Sequence, residues 1–126
     1  MQLNHTGIIN RSEEEALRFY QDFLGLEKTK ESVLSPELSE QLFSLYEEIK
    51  VLVFEKAGMK IEVFISDFQL GHPNFTHFGI MLEDLPEITE KAKRSDVDVI
   101  VGKHKEKVVY FLKDFSGNLI EIKQIA

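Results

Sequence analysis

Apolar and polar residues alternate along residues 3–9, the period of a strand with one covered face. Ser12 then opens a helix. Glu15 three positions on completes a capping box, and Ala16, Phe19, Tyr20 and Phe23 fall on one helical stripe that Gly25 ends. Strand periodicity returns over 27–33, 49–55 and 59–66. The order then repeats, with a strand over 76–82, a helix over 85–95, and strands over 97–101, 107–112 and 119–125. Residues 67–75, containing Gly71, His72 and Pro73, read as the linker between the halves. The pattern predicts an α+β chain of two tandem βαβββ modules, about 1–66 and 76–126, in one domain.

Two phrases mark the repeat. His5-Thr6-Gly7-Ile8 returns as His77-Phe78-Gly79-Ile80, and Gly58-Met59-Lys60-Ile61-Glu62 as Gly117-Asn118-Leu119-Ile120-Glu121. Taken singly, each residue has a plain reading. A histidine among apolar neighbours is usually a hydrogen-bonded structural residue, and a strand glutamate opposite an apolar face is usually solvated. Taken together, His5, Glu62, His77 and Glu121 stand at matched places in a duplication, each flanked on its own face by apolar residues. Two imidazoles and two carboxylates suit one divalent ion per site: nickel, zinc, cobalt, manganese or iron. His72 and His104 fall outside the repeat and are expected to be exposed.

His5 to Glu62 spans 57 positions, whereas His77 to Glu121 spans 44. The additional length lies near 35–48, where Ser35, Pro36 and Glu37 open a short helix carrying Leu38, Leu42, Phe43 and Leu45. Leu42, Phe43 and Leu45 are either ordinary core residues, or the segment is a lid over a pocket.

Composition narrows the function. A net charge of −7 argues against nucleic acid or an anionic membrane as partner, since each requires a basic footprint. The absence of cysteine removes disulfides and thiolate ligands. No stretch reaches the roughly 20 apolar residues of a membrane span. The amino terminus has no charged-then-apolar leader pattern, so cytoplasm is the expected compartment.

HTGI, EEALRFYQDFLGLE, GMKIEVF, HFGIML and DFSGNLIEI together resemble the vicinal oxygen chelate superfamily. Its members include glyoxalase I, methylmalonyl-CoA epimerase, extradiol dioxygenases, fosfomycin-resistance enzymes and bleomycin-binding proteins. The resemblance runs from Leu3 to Gln124. It implies a cupped mixed sheet with the metal inside and the helices on the convex side. Dioxygenases and fosfomycin-resistance enzymes use two histidines and one glutamate, and epimerases usually have glutamine where Glu62 stands. The full quartet is therefore most like bacterial glyoxalase I. The implied reaction is that of a lyase/isomerase on the hemithioacetal of an α-ketoaldehyde, through a metal-stabilised enediolate. Glu121 would be the base and Glu62 chiefly a ligand. An acyl-CoA epimerase or a non-catalytic small-molecule binder of the same fold is the alternative. The chain departs from glutathione-using members at Ile9, where they carry arginine, and at Ser66, where they carry asparagine. A homodimer is expected, with the quartet either in one chain or shared between two.

Overall fold

A computed structural model describes residues 1–68 and 74–126, and the expectation for His72 falls outside them. The chain divides into two compact units, Met1–Gln69 and Leu70–Ala126.

The first unit is a four-stranded mixed sheet ordered β1-β4-β3-β2. Strand β1 (Thr6–Asn10) runs parallel to β4 (Met59–Ile65); β2 (Glu27–Leu34), β3 (Ile49–Lys56) and β4 form an antiparallel meander. Ala57 and Gly58 turn β3 into β4 with φ of 50° and 84°, the paired left-handed conformation that matches the twist of a two-residue hairpin. Strand β1 begins three residues later than its alternation predicts. Thr6 pairs with Ile61, and β4 itself starts at Met59, so little strand lies upstream for residues 1–5 to pair with.

Helix α1 starts as predicted, with Ser12 Oγ accepting the Glu15 N–H at 3.1 Å. The Glu15 carboxylate is gripped at both oxygens by the Arg11 guanidinium. After an α-helical turn over Glu13–Ala16, α1 continues as a π-helix over Leu17–Phe23, and Leu24 N–H bonds five residues back to the Phe19 carbonyl. The wider turn buries the neighbours Phe19 and Tyr20 as well as Phe23. Tyr20 packs on Phe54 of β3 with ring centroids 5.8 Å apart. Leu52, Phe54, Ile61 and Val63 are fully buried. They share the sheet face that α1 covers, and Glu62 points to the opposite face.

Helix α2 (Pro36–Phe43) forms where predicted, capped by Ser35, whose hydroxyl accepts from Leu38 N–H. It reaches the face opposite α1: the Phe43 ring meets Phe64 edge-on at 5.3 Å, and Phe64 shares the face of Glu62 by strand alternation. Leu42 and Phe43 stay exposed and Leu45 is half-buried, so they are not the ordinary core residues that one reading of this segment allowed.

The second unit repeats the design as β5-β8-β7-β6. Strand β5 (His77–Leu82) is parallel to β8 (Leu119–Gln124), and β6 (Asp98–His104), β7 (Lys107–Lys113) and β8 are antiparallel. Helix α3 (Leu85–Arg94) is capped by Asp84 and packs on β6 and β8. Ile80, Leu112, Ile120 and Ile122 form the buried face, leaving Glu121 on the other. Strand β6 runs three residues beyond its predicted end, because the β6–β7 hairpin keeps pairing to His104↔Lys107. His104 is exposed there, as expected. Among the described residues, no helix is long and apolar enough to cross a membrane.

Candidate metal centre

The two halves build the same local arrangement. In β1 the residue paired with Glu62 is Gly7, and in β5 the residue paired with Glu121 is Gly79. Parallel partners share a face, so each glutamate stands over a position with no side chain. The histidine two residues before each glycine is on that same face and reaches the space left open. His5 Nδ1 lies 3.4 Å from Glu62 Oε2, and His77 Nε2 lies 3.6 Å from Glu121 Oε1. Upstream of each glutamate is a glycine with positive φ, Gly58 at 84° and Gly117 at 93°. Such a conformation strains any side-chain-bearing residue, which explains the repeated Gly-x-x-x-Glu spacing as strand-entry geometry.

Before Glu121 that entry is reinforced. The buried Asp114 carboxylate accepts from Ser116 N–H, Asn118 N–H and Asn118 Nδ2 at 2.8–2.9 Å, fixing the turn from which β8 departs.

The ring nitrogens are used differently in the two pairs. His77 Nδ1 lies 2.8 Å from the Phe75 carbonyl. A carbonyl only accepts, so Nδ1 donates to it, and Nε2 is the nitrogen that faces the Glu121 carboxylate. The ring is also held edge-on by Phe111 at 5.2 Å. At His5 the Nδ1 edge faces Glu62 and is 2.8 Å from Asn4 Oδ1. Glu121 has a further neighbour, with Lys123 Nζ 3.5 Å from its second oxygen. The roles of Asn4 and Lys123 had only adjacency as a signal in the sequence. The Phe75 carbonyl had none, being backbone.

These pairs fit a divalent ion. Donor atoms about 2.0–2.2 Å from one ion and roughly 90–110° apart are separated by about 2.8–3.6 Å; the observed 3.4 and 3.6 Å lie in that range, although His5 Nδ1 must give up its contact with Asn4 Oδ1 to serve as a donor. Each His and Glu keeps a side-chain exposure of 22–39%, leaving it open to a ligand. The structure brings the four residues together as two pairs, one in each unit. Among the described residues, no group of three or more His, Cys, Asp or Glu side chains is gathered as a metal cage. Ile9 and Ser66 provide no charge, and nearby Arg11 is held by Glu15.

Residues 2–122 match the Glyoxalase/Bleomycin resistance protein/Dioxygenase superfamily. The chain belongs to this superfamily, the vicinal oxygen chelate group. Solved structures agree with the fold. A glyoxalase family protein from Bacillus cereus superposes with a TM-score of 0.75 at 12% identity, covering 98% of this chain and 93% of that one. A glyoxalase family protein from Enterococcus faecalis gives 0.71 at 20% identity, covering 96% and 95%. A glutamate-to-glutamine mutant of the fosfomycin resistance protein FosX from Listeria monocytogenes, complexed with Mn(II) and 1S,2S-dihydroxypropylphosphonic acid, gives 0.73 at 22% identity, covering 97% and 90%. No curated protein matches the chain at a significant level.

Proposed function

We propose that this protein is a divalent-metal-dependent lyase/isomerase of glyoxalase I type, acting on the hemithioacetal of an α-ketoaldehyde. The supporting observation is the pair of histidine–glutamate contacts at equivalent register positions, 3.4 and 3.6 Å across. His5, Glu62, His77 and Glu121 would hold the ion. Once bound, it supplies Lewis acidity toward two vicinal substrate oxygens. Glu121 takes the proton from the carbon bearing hydroxyl and sulfur and returns it to the neighbouring carbonyl carbon. The ketone becomes an alcohol and the hemithioacetal carbon a thioester carbonyl, with no net gain or loss of atoms. Glu62 remains a ligand throughout, and the Phe75 carbonyl keeps the His77 ring oriented.

The donor set separates this reading from its neighbours in the superfamily. Oxygen activation and epoxide opening use three protein ligands and leave more of the ion open, whereas Glu62 adds a fourth protein ligand. With Ile9 in place of a charged arginine contact and Ser66 in place of an asparagine amide, a carrier thiol other than glutathione is expected. The test is metal analysis of purified protein, followed by turnover of methylglyoxal with several thiols in parallel and a fosfomycin arm. Stoichiometric metal and thioester formation support the proposal. Fosfomycin opening without thioester formation would move the protein to the resistance branch. Metal-free protein that binds an apolar ligand would make it a binding module.

A further inference from the structure

The Glu62 face of the first sheet is divided by chemistry. Lys60 and its cross-strand partner Glu55 form the row on one side of Glu62; Ile9, Phe64 and Val51 form the row on the other, with Ile49 beyond them. Val51 and Ile49 are buried, and α2 contacts this apolar end through Phe43 on Phe64. The Phe64 ring also leans across β1: a Cβ at Gly7 would stand 3.4 Å from its Cε2. Because Gly7 is the register partner of Glu62, the ring borders the His5–Glu62 pair itself. Phe43 nevertheless remains 55% exposed and Leu42 60%. Among the described residues the second unit has no helix at the equivalent place, since β6 and β7 are joined by a tight turn at Lys105 and Glu106.

We infer that Phe43 and Phe64 form a specificity wall for an apolar substituent of the substrate, so that oxygen-chelating substrates with an aryl group are preferred to those with a methyl group. The inference rests on the metal-dependent reading above and names the substrate class within it. A ligand held at His5–Glu62 has an uncharged aromatic surface on one flank and the Lys60–Glu55 row on the other. An apolar group gains by covering Phe43 and Phe64, while a charged group there finds no partner among Ile9, Phe64 and Phe43.

The experiment measures binding, independently of turnover. Mandelate and lactate each present a hydroxyl and a carboxylate oxygen on adjacent carbons and differ as phenyl against methyl. Calorimetric titration of Mn(II)-loaded protein should show mandelate binding about tenfold more tightly than lactate. Phe43→Ala should reduce that preference to about twofold while leaving lactate affinity unchanged, and Phe43→Leu should retain part of it. Phe43 is exposed at the end of α2, so the variants should fold, which circular dichroism checks. Equal affinities in the wild type, equal weakening of both acids in Phe43→Ala, or binding of neither acid would overturn the inference. Methylglyoxal and phenylglyoxal turnover is scored separately. If neither is converted but the mandelate preference collapses in Phe43→Ala, the wall stands and the lyase/isomerase reading falls.

Discussion

Glu62 and Glu121 occupy the same place in the repeat yet have different surroundings. Glu62 faces the Nδ1 edge of His5, while Glu121 faces Nε2 of His77 and has Lys123 on its second oxygen. Two separate carboxylate oxygens with different neighbours suit Glu121 to exchanging a proton while remaining close to the ion. Replacing Glu121 with glutamine should therefore lower kcat by about 10²–10⁴-fold and leave substantial metal bound, since an amide oxygen still coordinates. His77→Ala and His5→Ala should lose metal and turnover together when metal content and rate are measured on the same preparations. Equal residual turnover in the glutamine variants of Glu62 and Glu121 would show that the base is wrongly assigned. That each histidine stands beside its glutamate was legible in the sequence, because duplication repeats both with their glycines; that they hold an ion is the proposal. The ring nitrogen each histidine presents was not legible. At His77 a backbone carbonyl two residues back takes Nδ1 and leaves Nε2 toward Glu121, whereas at His5 the Asn4 side chain shares the Nδ1 edge that faces Glu62.

At the level of elements, periodicity and caps placed every strand and helix within a few residues, and the misses have local causes. The π-helical stretch of α1 answers to the packing of Phe19, Tyr20 and Phe23 on the sheet, which a helical stripe does not specify. The anchoring of α1 across to β3 was equally hidden. Lys50 Nζ reaches Glu13 Oε2 at 3.0 Å, with Lys28 and Glu31 alongside. The Lys50 hydrogen bond is the main cause holding the Glu13 carboxyl below its ordinary value, with burial opposing it; the same bond raises Lys50. Glu13 thus adds stability above the ordinary carboxylate value, lost as pH falls through its depressed one. Lys50 adds stability below the ordinary lysine value, lost as pH rises through its raised one. Glu13→Gln and Lys50→Met should each flatten both the acid and the alkaline limb of a Tm–pH curve, by a small amount that shrinks in high salt because the pair is exposed. A larger effect is expected from Asp114→Ala, which strips three donors of a buried carboxylate and should cost roughly 2–4 kcal/mol in denaturant unfolding. A value under roughly 1 kcal/mol would mean that the turn before β8 is held by other contacts.

At the scale of the whole molecule, duplication gave the sequence its clearest signal, and the assembly of the two units gave it the least. Each sheet, taken by itself, has two outer strands, β1 and β2 in one unit and β5 and β6 in the other. The residue two positions before each histidine, Leu3 and Phe75, is apolar and 87% exposed in both units. Met81, beside the second pair on β5, is also exposed. Apolar surface concentrated next to candidate ligands is what a second copy of the chain would cover, and twofold closure is the commonest way to cover it. A homodimer is therefore expected by sedimentation. If its sites take His5 and Glu62 from one chain and His77 and Glu121 from the other, a His5→Ala chain and a His77→Ala chain complement each other. Their heterodimer holds one intact site and one with both lesions. Random exchange makes half the dimers mixed, so the mixture should recover about a quarter of wild-type activity, from parents with almost none. Demonstrated exchange without recovery would assign each site to a single chain, and a stable, active monomer would remove the dimer altogether.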